Sequence, residues 1–422
     1  MGNPPFVGYA YQSQEQKQDL QAVDKQIGKN IDYVAGWYFK AAQYIQDASI
    51  SAAFVSANSI TQGEQVIGIW KILMQNYHVH IDFAHRTFRW DSEANIKAHV
   101  HCIIVGFSVK SSEEKKRLYA SDRVQCVDNI NGYLLDAPDI FIERRTKPIC
   151  SVPQVKRGNQ PTDDGNLILT AEQRDELVAK EPAVGKYIRP YRMGKDFINR
   201  KPRFCIWLLG ANPAEIKKCP DVMKRIQNVR EFRLLSKKAA TRIKADTPML
   251  FDEIHECKTN YIAIPKISSE NRRYIPMDYL KAEVVAGDTL FMVSEISLFH
   301  LGILTSNVHM AWMRAVCGRL KSDYRYSNTV VYNNFPWPEL TDKQKAQIGQ
   351  TAQAILNARA LYPDASLADL YDETTMPPEL RKAHRQNDRA VMEAYGFSIK
   401  ISESECVAAL MKLYQSLTEQ EK

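Results

Sequence analysis

The feature that most restricts the fold of this chain is a change of hydrophobic rhythm along its length. Over residues 1 to about 110, helical stretches alternate with short apolar runs: Ala52-Ala53-Phe54-Val55, Val79-His80-Ile81-Asp82-Phe83 and Val100-His101-Cys102-Ile103-Ile104-Val105. Short apolar runs rich in β-branched residues, set between helical segments, read as strands of an α/β sheet. A charged stretch from Lys110 to Arg117 reads as a hinge into a region rich in Pro, Asn, Tyr and Arg, which reaches about Pro338 and reads as α+β. From Thr341, whose partner Gln344 completes a capping box, the period becomes helical through Tyr362, and two further helices follow Pro378 and Ser402. The expected division is therefore an α/β part over residues 1–125, an α+β domain over 126–338 and a small helical domain over 339–422. With 422 residues and 45% hydrophobic side chains, the chain can bury about two or three cores of this kind. The Gln-rich stretch Gln12 to Gln21 reads as a mobile loop, and no internal repeat is visible.

Several function classes are disfavoured at once. No run approaches the roughly 18 apolar residues of a membrane span, and no basic segment followed by an apolar one opens the sequence, so a cytoplasmic protein with no membrane partner is expected. The eight cysteines, at positions 102, 126, 150, 205, 219, 257, 317 and 406, form no Cys-x-x-Cys pair, which suggests reduced thiols rather than disulfides or zinc. His78 with His80, and His99 with His101, share strand faces, but no cysteine or carboxylate completes a ligand set, so no metal is expected. Glu143-Arg144-Arg145 and Asp163-Asp164 lack the acid pair and lysine of a metal-dependent nuclease. The formal net charge of +7 permits a polyanionic partner without requiring one.

The chemistry concentrates in Asn3-Pro4-Pro5-Phe6. Two prolines hold the backbone extended and remove two donors, leaving the Pro4 carbonyl at a defined angle. That oxygen and the Asn3 amide oxygen are two acceptors, and a planar exocyclic amine has two hydrogens to give them. Gripped in this way, the amine turns its lone pair toward an electrophile while Phe6 stacks on the ring. A base inside a duplex is out of reach of such a site and must first be rotated into it. The plain alternative is a loop with a polyproline twist.

Asn-Pro-Pro-Phe resembles the catalytic motif of amino-methylating DNA methyltransferases. With Val7-Gly8 it looks like their adenine-specific branch rather than the cytosine-N4 branch, which more often begins with Ser. Ala53 to Glu64 resembles the strand and loop that close the far side of the target-base pocket in that family, and Ile81 to Trp90 and His99 to Phe107 resemble its last two sheet strands. Ile264 to Pro276 and Gly318 to Ser327 are similar to the target-recognition domain of MmeI-type restriction-modification enzymes. The likeness implies the C-terminal half of a Rossmann-like class I methyltransferase sheet, followed by a recognition domain and a helical tail. It implies Asn3, Pro4, Pro5 and Phe6 as catalytic residues, S-adenosylmethionine as methyl donor and double-stranded DNA as partner.

Residue chemistry allows a compatible role for the middle region, where Arg and Lys interleave with Tyr and Ser. Lys266, Arg272, Arg273, Arg319, Lys321, Asp323 and Arg325 are the candidate base readers, and a solvated charged face is the competing reading of each. Lys224, Arg225, Arg230, Arg233, Lys237, Lys238, Arg242 and Lys244 suggest one basic helix lying along phosphates, with Lys237, Lys238 and Arg242 as chief contacts. Arg144, Arg145 and Lys147 are a further possible contact, with a structural role equally open.

In the family resembled here, the glycine loop that holds the donor precedes the catalytic motif, whereas Gly63, Gly68 and Gly106 come after it. The expectation is a donor site outside these residues, supplied by another polypeptide segment, and an unpaired apolar edge on the strand that begins at Ala52. The combined expectation is a site-specific adenine-N6 methyltransferase present as a fragment. The alternative is a catalytically inactive DNA-binding specificity subunit.

Overall fold

The computed structural model describes every residue except 29, 92–98, 111–113, 121–122, 321 and 422, and the backbone alone of residues 89–91, 99 and 100. The chain forms two compact units. One comprises Met1–Ser151, Val308–Glu339 and Met392–Lys422; the other comprises Val152–Asn307 and Leu340–Val391.

The first unit is built on five strands, β1 (Ala52–Ala57), β2 (His80–Asp91), β3 (His99–Ser108), β4 (Lys116–Ala120) and β5 (Arg123–Val127), in the order β1-β3-β2-β4-β5. β3 lies antiparallel between β1 and β2, with Ala57 opposite Cys102 and Ala84 opposite Val105. The sheet extends beyond the expected strands: β4 runs parallel to β2, with Arg117 opposite Phe83, and β5 returns antiparallel to β4. The expected hinge Lys110 to Arg117 therefore ends inside a strand, because Leu118 is fully buried and its neighbours Arg117 and Tyr119 continue the alternation.

Two helices precede β1. α1 (Gln14–Val23) replaces the mobile loop expected over Gln12 to Gln21. Ser13 and Gln16 form a reciprocal capping box, and Leu20 is buried, so the glutamines occupy the wet face of a capped helix. α2 (Ala35–Tyr44) buries Ala35, Tyr38, Phe39 and Ala42. Tyr38 stacks on Phe107 at 5.5 Å and meets Phe54 and Trp70 edge-on at 5.1 and 5.4 Å. Its hydroxyl is hydrogen-bonded to that of Ser56 at 2.8 Å, and Trp70 Nε1 donates to the Ile60 carbonyl at 3.0 Å, so these buried polar atoms are satisfied.

The edge of β1 is not left bare. The backbone N–H of Gly2 donates to Ala53 at 3.0 Å and that of Val55 donates to Gly2 at 3.0 Å, a parallel bridge between Gly2 and Phe54. The backbone at Gly2 thus runs parallel to β1, and the residues after Gly2 leave in the same direction as those after Ala57.

The second unit contains two four-stranded sheets. One has the order Asp278–Leu280, Tyr261–Pro265, Leu290–Val293, Val155–Arg157; the other has the order Val285–Ala286, Ile188–Arg192, Phe204–Ile206, Ile168–Leu169. Its core gathers Leu167, Tyr191, Trp207 and Phe251 against Val222, Ile226 and Val229 of the helix α3 (Pro220–Leu234). In this unit Thr341 and Gln344 cap Asp342–Ala360 reciprocally, as their spacing predicts, with Gln344 Oε1 accepting from Thr341 N at 3.0 Å. Helices follow Pro378 and Ser402 as well: Pro378–Ala394, and Glu403–Gln420 in the first unit. Among the described residues no helix is long and apolar enough to cross a membrane.

Candidate active site and nucleic-acid interface

Ligands of open α/β sheets bind outside the carboxyl ends of parallel strands. Here two segments leave such an end side by side. The first is Asn3-Pro4-Pro5-Phe6, after the parallel bridge at Gly2; the second is Asn58 to Gly63, after β1. Asn3, Pro5 and Phe6 are exposed while Pro4 is buried, so the motif is anchored at its second residue. Among the described residues neither the Asn3 side chain nor the Pro4 carbonyl oxygen is taken up by a hydrogen bond. Phe6 is 36% exposed.

The residues just past Phe6 are held tightly. The Val7 carbonyl accepts from Tyr33 N at 2.9 Å, and Tyr9 N donates to Asp32 Oδ1 at 2.9 Å. Asp32 also accepts from Gln65 Nε2 at 3.1 Å and from the Ser59 hydroxyl at 2.5 Å. Gln12 Nε2 donates to the Ile31 carbonyl at 2.8 Å. Reading the sequence had singled out neither Asp32 nor Gln65 for this role; the available signal was a lone carboxylate within the otherwise apolar Ile31-Asp32-Tyr33-Val34.

The wall after β1 ends at Gly63, whose φ of +53° suits glycine. A side chain there would meet Gly318 Cα and N at 3.2 Å. Gly318 opens an antiparallel hairpin, Gly318–Leu320 with Asp323–Arg325, that pairs Arg319 with Tyr324. The hairpin and the motif thus belong to one unit, linked through the Asn58 to Gly63 segment. Arg319 lies over the Tyr324 ring at 4.2 Å and donates to the Ser322 carbonyl at 2.8 Å; Asp323 is half-buried and Arg325 is exposed. Lys321 lies outside the described residues. Behind the hairpin, Tyr326 and His309 are buried and hydrogen-bonded at 2.9 Å, and burial depresses the His309 pKa to about 3.

Lys266, Arg272 and Arg273 fall in the second unit. Lys266 is half-buried over Phe291, its amine 4.7 Å from the ring centroid. Arg273 is exposed, with its guanidinium 5.6 Å from the Tyr274 ring, and Arg272 is half-buried. The basic run is not the single helix expected. α3 ends at Leu234, and α4 (Ala239–Ile243) follows a turn. Arg233 is fully buried and donates to five carbonyls, those of Thr162 (3.0 Å), Lys244 (2.9 Å), Thr247 (3.1 Å), Pro161 (2.8 Å) and Leu250 (2.8 Å). It fastens the turn and is removed from the exposed charge. Lys237, Lys238 and Arg242 remain exposed, although Arg242 also donates to the Ser236 carbonyl at 2.8 Å. Arg145 is engaged structurally, bidentate to Glu421 at 2.6 Å, while Arg144 stands 3.3 Å from Glu64.

Models of three MmeI domains match consecutive parts of the sequence: the DNA-methyltransferase domain over residues 1–120, the target recognition domain over 136–339 and the C-terminal domain over 340–421. The chain belongs to the MmeI family. It is 37% identical over 420 residues to DNA methyltransferase A of Bacillus subtilis (strain 168), a match covering 99% of this chain and 48% of that protein. A solved structure of the type IIL restriction-modification enzyme MmeI in complex with DNA superposes with a TM-score of 0.90 at 44% identity, covering 99% of this chain and 57% of that one. The chain therefore spans about half the length of the relatives it matches.

Within the MmeI frame, the Asn3 motif and the wall after β1 lie in the methyltransferase match. The recognition match is shared between the units, with residues 152–307 in one and 136–151 and 308–339, the hairpin included, in the other. Gly63, Gly68 and Gly106 do not form a donor cradle, because packing fills the space beside each. A side chain at Gly68 would strike Ile31 Cδ1 at 2.3 Å, one at Gly106 would strike Phe83 Cε1 at 2.0 Å, and Gly63 is closed by Gly318.

Proposed function

We propose that this chain carries the base-handling and DNA-reading parts of an S-adenosylmethionine-dependent adenine-N6 DNA methyltransferase of a restriction-modification system. The observation that carries the reading is the placement of Asn3-Pro4-Pro5-Phe6 directly after a parallel bridge from Gly2 to Phe54 of β1, with Asn3 and Phe6 exposed and the following residues pinned. In this reading Asn3 Oδ1 and the Pro4 carbonyl accept the two hydrogens of an extruded adenine amine, leaving its lone pair toward the donor. Phe6 stacks on the base. The exposed ring then has a reason to be exposed, since a base is the apolar surface that covers it. Pro5 keeps the two acceptors fixed before the base arrives, so their orientation costs nothing at the moment of reaction.

S-adenosylmethionine supplies an electrophilic methyl group. In this family the loop that binds it comes before the catalytic motif, and a donor site formed by polypeptide other than the residues described here agrees with the packed glycines and with the greater length of the relatives. The DNA partner is assigned by chemistry: Arg325, Lys237, Lys238, Arg242 and Arg273 present exposed cations, and Arg319 and Asp323 sit on a hairpin in the same unit as the motif. The domain division that goes with this reading is 1–125 for the catalytic part, 126–338 for recognition and 339–422 for the helical tail.

The test is methyl transfer from labelled S-adenosylmethionine to plasmid DNA by the whole protein, with the product nucleoside identified by mass spectrometry. N6-methyladenosine is expected, and Asn3→Ala and Phe6→Ala lower its formation by about 100-fold or more while leaving DNA affinity intact. N4-methylcytosine overturns the base assignment. DNA binding without transfer of any methyl group establishes the specificity-subunit reading instead.

A further inference from the structure

We infer that Asp32 is a positioning residue for the catalytic motif, a buried carboxylate that locks the segment leaving Phe6 against the wall leaving β1. The inference rests on the reading of the motif given above. Asp32 is 7% exposed, and both of its oxygens are used. Oδ1 accepts from Tyr9 N at 2.9 Å and Gln65 Nε2 at 3.1 Å; Oδ2 accepts from Ser59 Oγ at 2.5 Å. Its own backbone N–H donates to Gln65 Oε1 at 3.1 Å. The residues on either side add Tyr33 N to Val7 O at 2.9 Å and Gln12 Nε2 to Ile31 O at 2.8 Å. One three-residue stretch, Ile31 to Tyr33, therefore fixes positions 7, 9 and 12, beginning immediately after the ring proposed to stack on the base.

A carboxylate is the side chain this junction requires. It offers acceptors on both oxygens and no donor, so a backbone N–H, an amide and a hydroxyl can all converge on it, and hydrogen bonds to an ionised acceptor are shorter and stronger than neutral ones. Asparagine has the same shape, but its amide nitrogen reverses the Ser59 contact, turning the hydroxyl into an acceptor, and its neutral oxygen holds Tyr9 N and Gln65 Nε2 more weakly. The far side of the lock faces recognition. Ser59 and Gln65 flank Gly63, whose backbone lies against Gly318 of the Arg319 hairpin. Within this unit, Asp32 stands where the loop of the motif and the wall that reaches the hairpin are joined. Rotating the motif by a fraction of an ångström matters because methyl transfer requires the amine within a narrow range of position and angle, and misplacement by about 1 Å costs on the order of 100-fold in rate.

The experiment compares Asp32→Asn, Ser59→Ala and Ser59→Thr in the whole protein. It measures single-turnover methyl transfer at saturating DNA, DNA affinity, thermal midpoint and hydrogen exchange of the peptide spanning residues 4–12. For Asp32→Asn the expected result is a rate lower by about 100-fold, DNA affinity within about twofold of wild type and faster exchange over residues 4–12. Ser59→Ala is expected to show the same pattern with a smaller loss, and Ser59→Thr, which keeps the hydroxyl, to restore the rate. Wild-type rate and exchange in Asp32→Asn overturn the inference, as does a loss that tracks affinity and thermal midpoint alone. Should Asp32→Asn fail to fold, the Ser59 pair decides by the same criteria. If wild type transfers no methyl group, the reading of the motif fails, and unchanged exchange over residues 4–12 in the variants would separately overturn the lock.

Discussion

Asp32 and Arg233 are both buried ionisable side chains, one collecting three donors on a carboxylate, the other serving five backbone carbonyls with a guanidinium. Burying a charge is costly unless its hydrogen bonds are complete, so each site must return something for the expense. Around Asp32 the return is a rigid loop that leaves Asn3 and Phe6 turned outward. Around Arg233 it is a closed turn between α3 and α4, and the charge is withdrawn from the surface, where burial also pushes the guanidinium pKa down. The same physics therefore serves presentation in one region and closure in the other. In each case the identity of the ion says less than where its hydrogen bonds end.

The largest effect that tests this contrast is on stability. Arg233→Met removes the donor to five buried carbonyls and should cost about 3–5 kcal/mol in a denaturant titration. If the variant is as stable as wild type but binds DNA more weakly, Arg233 belongs with the exposed cations and the contrast fails. Asn3→Ala should show the reverse pattern: an unchanged denaturation midpoint with methyl transfer lower by about 100-fold or more, the scale of losing one preorganised polar group at a reacting centre. A destabilised Asn3→Ala protein would mean that the motif is a structural loop.

Acid sharpens the picture of the first unit. Burial holds His309 neutral, with a folded-state pKa of about 3 against an ordinary value near 6.5. The unfolded chain takes up a proton that the folded one refuses, so stability is unaffected above the unfolded value and falls as the pH drops from about 6.5 toward 3. Between pH 7 and pH 5 the loss should be on the order of 2 kcal/mol from this residue, and His309→Gln should flatten the slope. The smallest effect is electrostatic. Lys237→Gln with Lys238→Gln should lower the slope of log affinity against log salt by up to about 2, with the fold intact, if both amines lie on phosphates. An unchanged slope would remove this elbow from the DNA-facing surface.

Much of the architecture was legible because it is written in local rules. The runs beginning at Ala52, Val79 and Val100 announced strands, and Thr341 with Gln344 announced a helix start, since period and capping depend on neighbours a few residues apart. The same rules, applied more fully, reach α1: Ser13 and Gln16 are a capping box, and the abundance of glutamine masked it. β4 was hidden for a different reason. Lys116 and Arg117 look like a solvated hinge until β2 is there to pair with them.

The sequence by itself determined the chemistry available and its order: a tetrapeptide whose two prolines hold two potential acceptors, an α/β part, a mixed part and a helical tail. Only the tertiary structure decided which polar groups face outward. Asp32 is 27 residues from Ser59 and 33 from Gln65, and their convergence on the loop after Phe6 exists only once helix, strand and wall have packed. Arg233 and Lys237 are four residues apart and alike in charge, yet one is sealed and the other exposed. Hydrogen-bond completion in a buried site is a property of three-dimensional neighbours, and no local pattern records it.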